Sequence, residues 1–364
     1  MATASTGAVP GPSLAPRATP RAPSRAGRRP RGKALVVLGA AVALVIAALV
    51  SITIGAYPVP LGEVMSVIAG RLGLVEQTGS VHETVVWDIR LTRTLVAIAV
   101  GASLAISGAV YQGVFRNPLV EPYVLGVSSG AAFGAGLAVL TSFVLSMQVL
   151  AFTFGMVAVF ATYTLSRVRG QTPTVTLILA GVVIGSLFSA MFSLFQYVGT
   201  EEQLRRLVFW IMGGLYRSTW SDVAVVLPLA VVGCGIIWAY GWKLNVLTLG
   251  EEEAAALGIR SELTKRVLIV VATAITAIAV SVSGIIAWVG LMIPHAARLM
   301  IGPDNRYVLP LSAALGGMFV ILCDVIARTV TTGEVPIGII TSILGAPYLI
   351  YLLRTRLDYF SGRS

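Results

Sequence analysis

The sequence predicts an all-α, polytopic membrane protein of about ten transmembrane helices, and three observations predict it. Only 12% of the 364 residues are charged, against 56% that are hydrophobic, which is roughly half the ~25% charge of an ordinary soluble domain. Apolar runs recur along the whole chain at lengths near the ~20 residues that a bilayer core demands. The bases fall unevenly on alternate loops, as the positive-inside rule requires. A soluble globule is excluded, and so is a chain disordered over most of its length.

Residues 1–33 carry seven bases, no acid, and much Pro, Ala, Ser and Gly. They are expected to form a disordered, basic cytoplasmic tail. Without them the net charge falls from +10 to +3, so the positive charge belongs to membrane topology and not to a nucleic-acid partner. The apolar run that follows is too continuous for a simple secretory signal and is expected to stay as an anchor.

The expected spans are 34–55, 93–115, 120–140, 147–167, 173–196, 221–242, 266–285, 287–301, 307–329 and 337–353. They make residues 34–355 one ten-helix membrane domain and leave 356–364 as a short cytoplasmic tail. The eighth span is short and carries Pro294, His295 and Arg298. With the N-terminus inside, cytoplasmic segments hold 19 of the 26 bases. The outer segments hold Arg71, Arg90, Arg93, Arg205, Arg206, Arg217 and Arg328. Both chain ends are therefore expected in the cytoplasm.

The loops have content of their own. Segments 56–92 and 197–220 include Trp87, Trp210 and Trp220, residues suited to the membrane interface. Glu202 and Arg206 stand i,i+4 in a stretch, 200–216, expected to form a short surface helix. Small residues recur as Gly101/Ser107/Gly108, Gly130/Gly134 and Gly181/Gly185, which lets helices approach closely in lipid. Plain helix packing and the wall of a transport path both fit them. Cys234 and Cys323 match no metal or disulfide spacing and are expected to be packing residues.

The informative stretches are polar islands, because irregular polar backbone survives at membrane depth only where it is buried in protein or lines a cavity. The first runs Arg90-Leu-Thr-Arg93, Ser107-Gly108, Gln112, Arg116-Asn117-Pro118-Leu119-Val120-Glu121-Pro122 and Leu125-Gly126-Val127-Ser128-Ser129-Gly130. The second is Gly284 to Trp288, Gly290-Leu-Met-Ile-Pro294-His295 and Arg298, followed by Asp304-Asn305-Arg306. The third is Asp324-Val-Ile-Ala-Arg328, then Glu334-Val-Pro336-Ile-Gly338 and Gly345-Ala-Pro347. Asp324 has Arg328 four residues on, so an ion pair near the outer helix end is expected. His295 beside Pro294 reads as a packing histidine in preference to a ligand or proton carrier.

In order and spacing these stretches resemble the ten-helix permeases of ABC importers for iron–siderophore, haem and cobalamin, the FecCD/BtuC-like family. The resemblance covers about residues 34–355. One position departs from it: Asn305 stands where the family commonly has His. The resemblance implies a BtuC-like, type II ABC importer permease that works with a second permease chain, identical or sister, in the lipid bilayer. Its further partners would be ATP-binding subunits, which carry the ATP and Mg, and an extracytoplasmic substrate-binding protein. It implies a ferric siderophore as substrate, with haem or cobalamin as the alternative.

The resemblance also implies roles for particular residues. Loop 246–259 reads by itself as a short helix with acids in its first turn and glycine at its end. By resemblance it holds the coupling helices that enter the ATPase, through Gly250, Glu251, Glu252, Ala255, Leu257 and Gly258. Arg90, Arg93 and Arg328 would pair with acids of the binding protein; as residues alone they read equally as snorkelling anchors. Asn117 and Leu119, with Thr174, would belong to a cytoplasmic gate, and Ser128 and Ser129 to a cavity wall along the path.

No G-x-x-x-x-G-K-[ST] loop occurs, and the chain has three lysines, Lys33, Lys243 and Lys265. ATP chemistry is therefore expected on another chain. No ladder of carboxylates runs through the spans as a proton-coupled secondary transporter would need. No catalytic constellation or metal-ligand cluster is visible, so the chain is expected not to be an enzyme.

Overall fold

A hydrophobic stretch in lipid must satisfy every backbone group internally, so each apolar run becomes a helix. The computed structural model describes residues 30–55, 57–74, 81–141, 146–167, 171–331 and 333–355. Most of the expected N-terminal tail and the segment 356–364 lie outside the described residues. Helix α1 (Pro30–Thr53) takes in the last four residues of that tail's expected bounds. A short amphipathic α2 (Leu61–Arg71) follows. Helix α3 (Val81–Val114) is 34 residues long, twelve residues longer at its start than the apolar run alone implies. Its first turns, Thr84–Leu91, are wound as a π-helix.

The next helices are α4 (Val127–Thr141), α5 (Met147–Leu165) and α6 (Thr174–Val198). A surface helix, α7 (Glu201–Ile211), is closed by a capping box between Thr200 and Gln203, and Thr219 and Asp222 do the same for α8 (Trp220–Ala239). Then come α9 (Gly241–Leu249), α10 (Glu251–Ala256), α11 (Ser261–Ser283), α12 (Val289–Ile301), α13 (Asn305–Thr329) and α14 (Ile337–Thr355). Seven of these are long and apolar enough to cross a bilayer, and α4, α12 and α14 are shorter apolar helices. All ten expected spans are thus helical among the described residues.

Helix α3 is the axis of the bundle. Its apolar window is 83% buried, whereas that of α1 is 11% buried. Helices α8, α11, α12 and α13 pack around α3, and α4 lies between α5 and α6. Glycines make the closest approaches: a Cβ on Gly108 would strike the Gly290 carbonyl of α12, and one on Gly134 the Leu150 carbonyl of α5. The paired small residues therefore serve packing at these crossings.

Two spans are shorter than the apolar runs suggest, for a local reason. Pro118 and Pro122 lack an N–H, and Gly126 sits at φ 83°. Residues 116–126 therefore hold only the 3-10 turn Pro122–Leu125 before α4 starts at Val127. Likewise Gly284 (φ 67°) and Trp288 (φ 74°) break the chain between α11 and α12. The two breaks meet inside the bundle. The Trp288 N–H donates to Glu121 Oε1 at 3.2 Å and the Tyr123 hydroxyl donates to the Ile286 carbonyl at 2.8 Å. Irregular backbone at this depth is tolerated because protein, not lipid, surrounds it.

The bundle has two ends. The Arg93 face carries the end of α1, α2, the start of α3, α7 and residues 333–336. The Glu251 face carries the start of α1, α9, α10 and the α12–α13 turn.

Candidate functional site

At the Arg93 face, the last carbonyls of α1 have no partner within their own helix, and α1 has no base in its last turn. Two arginines from other helices supply the cations. Arg90 Nη1 donates to the carbonyls of Ile52 (2.8 Å) and Thr53 (3.2 Å), and Nη2 to that of Tyr57. Arg328 donates to the Ile54 carbonyl (2.5 Å), the Ser51 carbonyl (2.6 Å) and the Ser51 hydroxyl (2.9 Å). Positive charge at a helix C-terminus is also favoured by the helix dipole.

Arg93 does something different. Its Nε donates to Asp324 at 2.6 Å and its Nη1 to both oxygens of Glu334, at 2.8 and 2.9 Å. Asp324 is also paired with Arg328, i,i+4, at 3.2 Å. That second pair is the one the spacing predicts; Arg93, 231 positions away, is the larger partner that spacing misses. Two guanidiniums thus offset part of the cost of burying this acid.

This geometry qualifies the docking expectation for Arg90, Arg93 and Arg328. Arg90 is 5% exposed and Arg93 6%, and the Arg328 side chain is 9% exposed. All three guanidiniums point inward, to carbonyls or to carboxylates of the chain itself. The exposed cations of this face include Arg71 on α2, which pairs with Glu83, Arg205 and Arg206 on α7, and Arg217 in the turn after it. Glu202 and Arg206 form the expected i,i+4 pair at 2.5 Å, and Trp87 meets Trp220 at a ring separation of 4.8 Å.

At the Glu251 face, the expected coupling segment is two pieces. Residues 246–249 finish α9, Gly250 turns the chain at φ 149°, and α10 follows. Ala254 is wholly buried while Glu251, Glu252, Ala255, Leu257 and Gly258 are exposed. Gly258 closes the segment at φ 76°, a conformation glycine adopts without strain. A buried lysine that sequence reasoning passed over holds this helix. Lys265 of α11 is 5% exposed; it pairs with Glu251 and, at 3.6 Å, with Glu262. Glu262 in turn accepts from the Thr172 hydroxyl at 2.9 Å, just before α6. One ionic cluster thus joins α10, α11 and the entry to α6.

The residues expected at a gate and a cavity wall come from three places: the turn after α3, the start of α4 and the start of α6. Asn117 Oδ1 accepts from the Leu119 N–H at 2.9 Å, fixing the turn at the foot of α3, and Leu119 is 44% exposed. Thr174 opens α6 at the same face. Ser129 on α4 accepts from Ser189 of α6 at 3.2 Å, and Ser128 precedes it. Nearby, Gln112 donates to the Gly290 and Leu291 carbonyls, at 3.3 and 3.1 Å, and accepts from Arg298. His295 is buried in the same helix.

The departure at Asn305 has a local account. Its N–H donates to Asn245 at 2.8 Å while Asn245 donates to Asp304 at 2.7 Å. The Arg306 guanidinium, and then the Asn245 amide, hold the Asp304 carboxyl down at about 2. Asp304 is therefore charged at neutral pH and caps α13.

Ten apolar helices, one of them central and two preceded by broken backbone at depth, with a short exposed helix at one face and a charged rim at the other, are the architecture of a transport permease. The chain belongs to the FecCD transport family, which matches residues 43–355. It is 47% identical to the cobalamin import system permease protein BtuC of Halobacterium salinarum, over 75% of this chain and 74% of that one. It is 36% identical to the molybdate import system permease protein MolB of Haemophilus influenzae, over 88% and 96%. It is 37% identical to an iron chelatin transport system permease protein of Helicobacter pylori, over 75% and 83%. A solved inward-facing conformation of a metal-chelate type ABC transporter superposes with a TM-score of 0.77 at 36% identity, covering 88% of this chain and 99% of that one. The chain is thus a multi-pass permease subunit of an ABC importer. Its family is a transport family in which the ATPase is a separate subunit.

Proposed function

We propose that this chain imports a ferric siderophore across the cytoplasmic membrane as one half of a permease dimer. The observation that carries the reading is the placement of α10. A short, acidic helix exposed at one face, and tied through Lys265 to α11 and the entry to α6, is suited to take up motion from an ATPase. ATP-binding subunits, with their ATP and Mg, would grip Gly250, Glu251, Glu252, Ala255, Leu257 and Gly258. The Glu251 face is cytoplasmic on this reading, in keeping with Lys243, Arg260, Lys265, Arg266 and Arg306 near it.

A substrate-binding protein would dock on the Arg93 face. Arg90, Arg93 and Arg328 would shape that rim by holding α1, α13 and Glu334 in place, and the exposed arginines would meet the acids of the partner. Such pairs steer docking and set its register. Asn117, Leu119 and Thr174 would close the path at the cytoplasmic side, with Ser128 and Ser129 on its wall. ATP binding and hydrolysis would shift the helices between outward-open and inward-open arrangements by differential contact with α10.

The named relatives divide between iron chelate, cobalamin and molybdate, and the iron-chelate relative supports the siderophore reading. The 47% identity to a cobalamin permease supports the second reading, cobalamin import. The test is radio-iron uptake from several ferric siderophores, with labelled cobalamin and haem in parallel, in cells lacking the gene and in cells complemented with it. Uptake of a ferric siderophore that depends on the gene supports the primary reading. Gene-dependent cobalamin or haem uptake with unchanged iron uptake replaces it with the alternative.

A further inference from the structure

A recess of about 510 Å³ opens on the Arg93 face between α7, the turn that follows it and the first turn of α14. Four guanidiniums line it, those of Arg93, Arg205, Arg206 and Arg217, against two carboxylates, Glu202 and Glu334. Both carboxylates are already committed, Glu334 to Arg93 and Glu202 to Arg206. Arg205 and Arg217 are exposed and have no carboxylate partner among the described residues. The recess therefore holds two uncompensated cations side by side with the rings of Phe209 and Tyr216, and Arg217 already lies over Tyr216 at 5.4 Å.

The recess leads somewhere. Its floor ends at Val335, Pro336 and Ile337. The next residues, Gly338, Ile339 and Ile343, line an apolar trough of about 430 Å³ along α14, with Met212 and Ile285 on its other side. Backbone bonds fix the junction: the Ile337 N–H donates to the Gly213 carbonyl at 2.9 Å and the Gly338 N–H to the Met212 carbonyl at 3.0 Å. The cationic recess thus adjoins an apolar trough along the start of α14.

We infer that this recess is a receiving site for an anionic metal chelate with aromatic or apolar flanks, of the tris-catecholate kind. This rests on the import reading above and narrows it to a charge class. Guanidiniums present a planar fork that pairs with two oxygens at once and stacks on aromatic rings. In a recess walled by protein two such charges attract an anion more strongly than in bulk water. A neutral or cationic chelate gains nothing from Arg205 and Arg217. A bare oxyanion fills little of the recess and has no use for the apolar trough beneath it.

The test uses the whole permease with its ATPase subunits, in nanodiscs of neutral phosphatidylcholine, with no binding protein present. Binding of radio-iron ferric enterobactin, an anionic tris-catecholate, is compared with that of ferrichrome, a neutral hydroxamate chelate. The site predicts that enterobactin binds, that rising salt weakens it, and that R205Q/R217Q weakens it about tenfold. The charge-keeping variant R205K/R217K binds between the wild type and R205Q/R217Q, because lysine keeps the charge but loses the fork and the stacking, and ferrichrome is indifferent to both variants. Equal binding of the two chelates, or enterobactin binding unchanged in R205Q/R217Q, overturns the site. When binding protein is added in a separate arm, an R205Q/R217Q variant that weakens only its docking also overturns the site, since the arginines would then serve a protein acid. Adding anionic lipid distinguishes a headgroup site: strong competition by phosphatidylglycerol with no enterobactin binding in neutral discs also overturns it. In a separate arm the complex is placed in liposomes with binding protein supplied: ATP-dependent uptake of any chelate there keeps the import reading when the site fails, and absence of all uptake removes both.

Discussion

The two ends of the bundle hold charge in opposite ways. At the Arg93 face, Asp324, Arg93 and Arg328 are buried and lock α3, α13 and the segment before α14 to one another, while the free cations sit outside them on α7 and its turn. At the Glu251 face the acids are exposed on a short helix, and one buried lysine carries the connection inward. The first arrangement resists movement, because breaking any pair strands a charge away from water. The second lets α10 be pulled by a partner, because its acids can return to water. Rigidity at one end and a single ionic tether at the other suit a molecule driven from the tethered end.

The comparison can be broken first at Asp324. Asp324→Ala leaves Arg93 and Arg328 facing each other in a buried place, and a loss of about 3–5 kcal/mol is expected. In detergent the thermal midpoint should fall by roughly 10 °C; a fall within error would mean that the cluster does not lock that face. Glu121→Ala comes next. It orphans the Trp288 N–H where the two broken spans meet, costing about 1–3 kcal/mol, and the same melting measurement reads it.

Lys265→Met should cost only about 1–2 kcal/mol, since Glu251 can turn to solvent. Its effect on function should be larger than that figure suggests: ATP hydrolysis by the assembled complex continues while uptake per ATP falls several-fold. A parallel fall in both would make Lys265 merely structural. Smallest of all, Glu202→Gln removes an exposed i,i+4 pair and should shift stability by less than ~0.5 kcal/mol. A larger shift would mean that the surface of the Arg93 face is as locked as its interior.

These contrasts were unevenly legible in the sequence. The ten apolar runs gave ten helices because lipid forces a helix on any apolar segment of that length. The Glu202–Arg206 and Asp324–Arg328 pairs were legible because i,i+4 neighbours meet on any helix. Arg93 with Asp324, Glu121 with Trp288 and Lys265 with Glu251 were not, because those meetings depend on how helices pack and not on local spacing. The third span was placed seven residues too early: residues 120–126 are apolar enough to pass for helix, yet Pro122 and Gly126 unwind them. Arg205 and Arg217 of the recess entered only in the count of outer bases, since nothing in their spacing places α7 against the start of α14.

The central claim is that transport through this chain is powered by a separate ATPase acting at the Glu251 face. Its most direct test is uptake of labelled chelate into liposomes holding the chain with its ATPase subunits, or the chain alone, with binding protein supplied. Accumulation is expected only when the ATPase subunits and ATP are both present, and Leu257→Asp on the exposed end of the α10 segment should abolish it. Accumulation by the chain alone, driven by a proton or sodium gradient, would contradict the account.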